Sequence, residues 1–302
     1  MKSQTQILLL RMRFQPCTSS HTLINSRVRI LLHIYRLFFH FHQDYLDLSP
    51  KKLYNKKILS QIPEVALMHE LLHGMLIFAL YVIPAAGTMF LARRLIRIPD
   101  ELFRKILHFI LLGAYFPFLF AFKTWWISAG CVCALILLFY PLLALAGRIP
   151  AFSSFVNERK EGEFESSMVL ALAMIAFSIS ICWGVLDDKL LTLACVYAWG
   201  VGDAFAALVG KRFGKHKIHL PFTDHRKSWE GSAAMFFASF LSVLIVLLVR
   251  GGLGIGSCLL ISAVAAIVTT YTELATKDGL DTITCPTVAM AVIIPLVKLF
   301  GG

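Results

Sequence analysis

Residues 190 to 232 read LLTLACVYAWGVGDAFAALVGKRFGKHKIHLPFTDHRKSWEGS. The first twenty are apolar apart from one acid, Asp203, and a run of that length crosses a bilayer, which needs ~20 residues. Six Lys/Arg follow, Lys211, Arg212, Lys215, Lys217, Arg226 and Lys227, before apolar sequence resumes at Ser232. A carboxylate inside such a run is costly to keep and marks function by default. Gly202, Ala206, Gly210 and Gly214 recur every four residues, a small-residue face of the kind that lets two helices approach closely. Packing accounts for the glycines, but not for Asp203 or the basic loop.

Working outward, the whole chain has the same character. Of 302 residues 58% are hydrophobic and only 16% charged, with mean hydropathy +0.73, against roughly 25% charge in a soluble domain. Apolar runs lie near 71–92, 106–122, 125–147, 167–185, 190–209, 232–249, 253–272 and 286–300. The expected fold is all-α: a polytopic membrane protein of about eight transmembrane helices. Residues 68–302 form its multi-spanning catalytic domain, and residues 1–67 read as a basic, partly amphipathic N-terminal extension. Within that extension Val28 to His42 mixes apolar and basic residues at near-helical spacing, a composition suited to lying flat on an anionic membrane. The seven cysteines have no paired spacing and fall mostly inside apolar runs, so they read as small core residues.

Loop charge orients the bundle. Alternate loops carry fifteen Lys/Arg, from Arg93 through Lys277, and the opposite side carries four, Lys123, Lys189, Arg250 and Lys298. That places the 210–230 loop, and the site, at the cytoplasmic face of a bacterial plasma membrane or endoplasmic reticulum. The first seventy residues run against the rule, with ten Lys/Arg and four Asp/Glu on the side expected to be outside.

Four polar clusters interrupt the apolar pattern on the cytoplasmic side. Arg104, Lys105 and His108 sit within one turn where a helix enters the membrane, either as snorkelling groups or as an accessory or lipid-head site. Glu163 ends a mixed-charge loop close to the membrane, either as part of a solvated face or as a ligand at an accessory or lipid-head site. In the third cluster Gly210 and Gly214 free the chain to turn, and Lys211, Lys215 and Lys227 supply cations for a polyphosphate. Ser228 begins the next helix, whose backbone N–H groups suit an anion. The fourth, Glu273, Asp278 and Asp281, puts three carboxylates at a membrane mouth, a donor set suited to Mg²⁺. No Walker A loop is present: Gly210 to Lys215 is one residue short of GxxxxGK, and His216 stands where Ser or Thr would bind magnesium. GxGxxG is also absent, since Phe205 follows Gly200 and Gly202 where the third glycine belongs.

Asp203-Ala-Phe-Ala-Ala-Leu-Val-Gly-Lys-Arg-Phe-Gly-Lys followed by Lys227-Ser-Trp-Glu-Gly-Ser resembles the signature of the polyprenol kinase family: dolichol, phytol and CTP-dependent diacylglycerol kinases. Arg104-Lys105 with His108 is similar to that family's early RKxxH element, and Gly279-Leu-Asp281 through Pro286 to its late GLDNxxxP element. Thr282 departs from it, standing where the phytol kinases carry Asn. The likeness covers roughly residues 100 to 290. It implies transfer of the terminal phosphate of CTP, or of ATP, to a polyprenol, phytol or diacylglycerol, with Mg²⁺ as cofactor and no nucleic-acid partner. Asp203, Lys227 and Glu230 are the expected catalytic residues. Gly202, Gly210, Lys211, Gly214, Lys215, Lys227 and Ser228 are expected at the nucleotide. Asp203, Glu273, Asp278 and Asp281 are expected at the metal.

Three other readings compete. A phosphatidate cytidylyltransferase also uses CTP on a lipid but releases pyrophosphate, and Lys277 to Asp281 faintly resembles its acidic signature. His69-Glu-Leu-Leu-His73 matches HExxH, the zinc motif of intramembrane metalloproteases, although loop charge puts it at the opposite end from the acids. Glycine-broken helices bearing charges also line the substrate paths of transporters.

Overall fold

A computed structural model describes residues 64–147, 163–218, 223, 227–276 and 280–301. The amphipathic stretch 28–42, the rest of the N-terminal extension before Glu64, and Asp278 lie outside the described residues.

Eight α-helices make up the described chain: α1 Glu64–Leu95, α2 Asp100–Ala121, α3 Trp125–Gly147, α4 Glu163–Ser178, α5 Lys189–Phe213, α6 Trp229–Arg250, α7 Ile255–Ala275 and α8 Asp281–Leu299. A π-helical segment, Ile179–Val185, continues α4. All eight include a stretch long and apolar enough to cross a membrane, and the chain is an integral membrane protein. Its outward faces agree: Leu72, Leu76, Leu80 and Ile83 on α1 and Phe237, Leu241 and Ile245 on α6 are exposed, as lipid allows and water does not. Pro84, Pro117, Pro141, Pro286 and Pro295 all lie within helices, where neighbouring spans can re-satisfy the freed backbone groups.

Helix ends are set by polar caps. Asp188 accepts from the Leu191 N–H at 2.8 Å to open α5, and Ser228 accepts from the Gly231 N–H at 3.2 Å to open α6. Asp100 and Glu101 follow Pro99 in the first turn of α2, where negative charge complements the helix dipole. α6 stops at Gly251 and Gly252, whose φ of 71° and 77° favours glycine. Three helices begin five or more residues earlier than hydropathy alone places them, α1 at Glu64, α2 at Asp100 and α8 at Asp281. In this way Lys105 and Asp281 are drawn into helical register with the membrane core.

α5 is the hub. It packs most extensively on α6 and also touches α2, α4, α7 and α8; α1 lies on α2, α3 on α4, and α7 on both α6 and α8. One buried cluster joins α2, α3, the π segment and α5 through Leu112, Phe118, Val132, Ile179 and Val196. A second joins α4 to α8 through Met174, Cys195, Val243, Ile261 and Ile293. Six described cysteines are free and five of them are buried, in keeping with their reading as core residues.

The helix alternation sorts polar groups to two ends of the bundle. At one end stand the start of α2, the end of α5, the start of α6, the end of α7 and the start of α8. At the other, Glu70 accepts from the Lys123 and Thr124 N–H groups at 2.8 Å each, Lys189 donates to the Phe122 carbonyl at 2.6 Å, and Arg250 pairs with Asp188 at 2.5 Å.

Candidate active site

The α5–α6 seam explains the four-residue glycine spacing. A Cβ on Gly202 would strike the Ser239 hydroxyl, and one on Gly231 would meet the Ala206 carbonyl at 3.0 Å and the Gly210 Cα at 3.2 Å. One on Gly214 would strike the Gly210 carbonyl and crowd Ser228. Gly202, Gly210 and Gly214, expected at a nucleotide, thus present these faces to α6. The close approach they permit carries Asp203 and the basic loop to the same end as Lys227.

On α2, Lys105 reaches across to α5. Its ammonium lies 2.6 Å from Asp203 Oδ2, with side-chain exposure of 14% and 20%. One turn along α2, His108 Nε2 is 3.1 Å from the Gly200 carbonyl, and its ring packs edge-on against Trp199. A charge pair this far from water needs its partners, since removing one strands the other.

A second pair faces the first. The Lys227 ammonium is 3.1 Å from Glu273 Oε1, with 17% and 13% side-chain exposure, and also donates to the Glu273 carbonyl and, at 3.0 Å, to the Thr276 carbonyl. All three ammonium hydrogens have acceptors at the carboxyl end of α7, where free carbonyls and helix dipole favour a cation. Asp281 opens α8, accepting from the Thr282 N–H at 2.9 Å, and Thr276 and Thr284 join the two helices by a 3.1 Å hydroxyl contact. Asp203 interacts electrostatically with Lys105, His108 and Lys227, and with both Glu273 and Asp281. Three carboxylates and two lysines, drawn from α2, α5, α7, α8 and the loop before α6, therefore share one electrostatic cluster.

The basic loop is pinned above it. Lys217 and Ser228 form an antiparallel bridge, and Ile218 donates to the Lys227 carbonyl at 3.0 Å while Trp229 donates to that of His216 at 3.0 Å. Glu230 accepts from the Lys215 and His216 N–H groups at 3.2 Å and contacts His216 Nδ1 at 2.7 Å. Its carboxylate holds the turn that displays Lys215, and here it positions the loop. Lys211 and Lys215 are exposed, and Lys211 comes within 3.9 Å of the buried Glu101.

The structure thus brings together Lys105, His108, Asp203, Lys227, Glu273 and Asp281. Arg104 is half-buried on the same turn of α2. Glu163 opens α4, with its side chain outside the described portion. Among the described residues no three His, Cys, Asp or Glu side chains are grouped to hold an ion. Magnesium, which keeps several waters and takes one or two carboxylates, needs less: Asp203 and Asp281 supply hard oxygens at a shared mouth, and this donor set fits it. HExxH is accounted for at the other end. Glu70 caps the start of α3, and His69 and His73 stack on each other at 6.2 Å. Sequence reading missed Glu101 and Trp199; the acidic first turn after Pro99 was a usable signal for the former, whereas Trp199 is visible only in three dimensions.

Comparison with known proteins gives the family. Residues 58–276 match the model of the cytidylyltransferase family. The chain is 31% identical over 208 residues to a phytol kinase of Synechocystis sp., covering 66% of this chain and 81% of that protein. It is 32% identical to a probable chloroplastic phytol kinase of Zea mays over 33% of this chain and 31% of the relative, and 26% identical to the dolichol kinase of Bos taurus over 49% and 30%. It therefore spans most of the cyanobacterial relative but under a third of the other two. No solved structure matches.

Proposed function

The chain belongs to the cytidylyltransferase family as a relative of the polyprenol kinases, and we propose that it is a lipid kinase moving the terminal phosphate of CTP onto a membrane-embedded alcohol of the phytol or polyprenol type. One observation supports this most: the Lys105–Asp203 and Lys227–Glu273 pairs and Asp281 gather at a single membrane mouth, beside an exposed basic loop.

Phosphoryl transfer asks a protein chiefly for positioning and charge neutralisation. The alcohol oxygen attacks the terminal phosphorus, the bond from that phosphorus to the bridging oxygen breaks, CDP leaves, and the alcohol proton passes to a carboxylate. Asp203 is the candidate to receive that proton or to hold the metal, as the acid set within the apolar run of α5. Lys211 and Lys215 meet the nucleotide phosphates from the loop. Lys105 pairs with Asp203 and orients it, and Lys227 fixes the end of α7 so that Glu273 faces the same mouth. Mg²⁺, held by Asp203 and Asp281, would neutralise charge on the phosphates. The loop charge bias supports a cytoplasmic mouth, on the side where nucleotides are.

The family's name keeps a second reading in play, a cytidylyltransferase that would join CMP to a phosphorylated lipid and release pyrophosphate. Donor choice is tested with purified protein in nanodiscs containing phytol, offered CTP or ATP. Phytyl phosphate formed at least tenfold faster from CTP supports the reading, and equal or better use of ATP removes the CTP assignment.

A further inference from the structure

A cavity of about 50 Å³ lies along α2, toward the membrane centre from the Lys105–Asp203 pair. It is lined by side chains of α1 through α5, among them Phe78, His108, Tyr115, Met168, Ala171 and Trp199. Helical spacing connects it to the charged mouth. Lys105, His108, Leu112 and Tyr115 follow one face of α2, and Trp199 precedes Asp203 by one turn on α5. The cavity wall is overwhelmingly apolar, yet two of its residues are almost fully buried with polar atoms left over. Trp199 is 4% exposed and Tyr115 3%, and among the described residues neither the indole N–H nor the phenol hydroxyl has a hydrogen-bond partner. Buried donors are nearly always paired, and a dry apolar cavity accepts apolar ligands. Both features call for an amphiphile with an oxygen at one end.

We propose that this cavity seats the hydroxyl-bearing end of a single-chain lipid alcohol, and so discriminates against diacylglycerol. The inference rests on the lipid-kinase reading and names where that kinase holds its acceptor. His108 and Trp199 form the boundary between mouth and cavity, so an alcohol oxygen held there accepts from the Trp199 N–H one turn from Asp203. The volume limits what enters: allowing ~10–15 Å³ per water-sized position, there is room for roughly four such groups. That accommodates the first few carbons of one chain, whose remainder lies in the bilayer, and not two ester-linked chains.

The experiment uses full-length protein in nanodiscs with a phytol analogue bearing a diazirine beside the hydroxyl end, photolysed without nucleotide and mapped by peptide mass spectrometry. Adducts are expected at Tyr115, Met168 or Ala171, competed by excess phytol and not by dioleoylglycerol. Ala171→Phe, which fills the cavity from α4, should cut them at least fivefold; Met168→Phe serves where Ala171→Phe lowers Tm. Adducts confined to the lipid-facing Phe116 and Phe120, or competition by dioleoylglycerol equal to that by phytol, would overturn the proposal. Adducts in the cavity without phosphate transfer to phytol would remove the kinase reading and leave the site standing. Transfer to phytol with adducts elsewhere would remove the site alone.

Discussion

Lys105 and Asp203, ninety-eight residues apart in sequence, meet at 2.6 Å between α2 and α5. The pair joins the first helix of the site to the hub of the bundle, and its energetics can be separated from its chemistry. Lys105→Met leaves a carboxylate with its main counter-charge removed. It should destabilise by roughly 2 kcal/mol, below the ~3–5 for breaking a fully buried pair because both side chains keep some exposure. The double variant Lys105→Met with Asp203→Asn should recover part of that loss. Thermal unfolding in detergent measures both, and a double variant less stable than the sum of the two singles would contradict the pairing.

Asp203→Asn keeps size and removes charge, so it tests proton or metal handling directly. Turnover should fall by well over tenfold, more than ~1.4 kcal/mol of barrier, with expression and insertion unchanged. Retention of a tenth of wild-type kcat or more would return Asp203 to a packing role.

The glycine seam gives a purely structural prediction. Gly231→Ala places a methyl 3.0 Å from the Ala206 carbonyl and 3.2 Å from the Gly210 Cα. Overpacking of this kind costs ~1–3 kcal/mol. Gly87→Ala, with nothing within 4 Å of the new atom, should leave Tm unchanged or slightly raised. Equal behaviour of the two variants would refute the seam.

Glu70 separates the capping account from the HExxH reading. Glu70→Ala frees the Lys123 and Thr124 N–H groups just before α3 and should lower stability by ~0.5–2 kcal/mol, the range for lost N-caps. Lipid phosphorylation by the folded fraction should persist, and zinc chelation should have no effect on it. Loss of all activity together with bound zinc would revive the protease reading.

These outcomes reflect what a linear sequence carries. The number of spans was legible because bilayer thickness imposes a length that hydropathy reports directly. Asp203 stood out for the same reason, as a charge in a long apolar run. Helix starts at Asp100 and Asp281 were less legible, since polar residues at a membrane mouth look like loop until a partner is found; Lys105 finds one in Asp203. The two roles of the glycine spacing could not be divided in one dimension: packing of α5 on α6 is itself what delivers the basic loop to the acids. Lys227 shows the limit most clearly. Its charge suggested phosphate binding, whereas its three acceptors at the end of α7 are set by residues forty-six to forty-nine positions away.

The central claim is the direction of phosphate transfer, and a paired isotope experiment reads it most directly. Purified protein with phytol is incubated with CTP labelled at the γ-phosphate and, separately, at the α-phosphate, and the extracted lipid is counted and identified. The account predicts γ-label in a lipid monophosphate, CDP in the aqueous phase and no α-label in lipid. With a phosphorylated lipid as acceptor, α-label in a CDP-lipid with release of pyrophosphate, and no γ-label transferred to phytol, would contradict it.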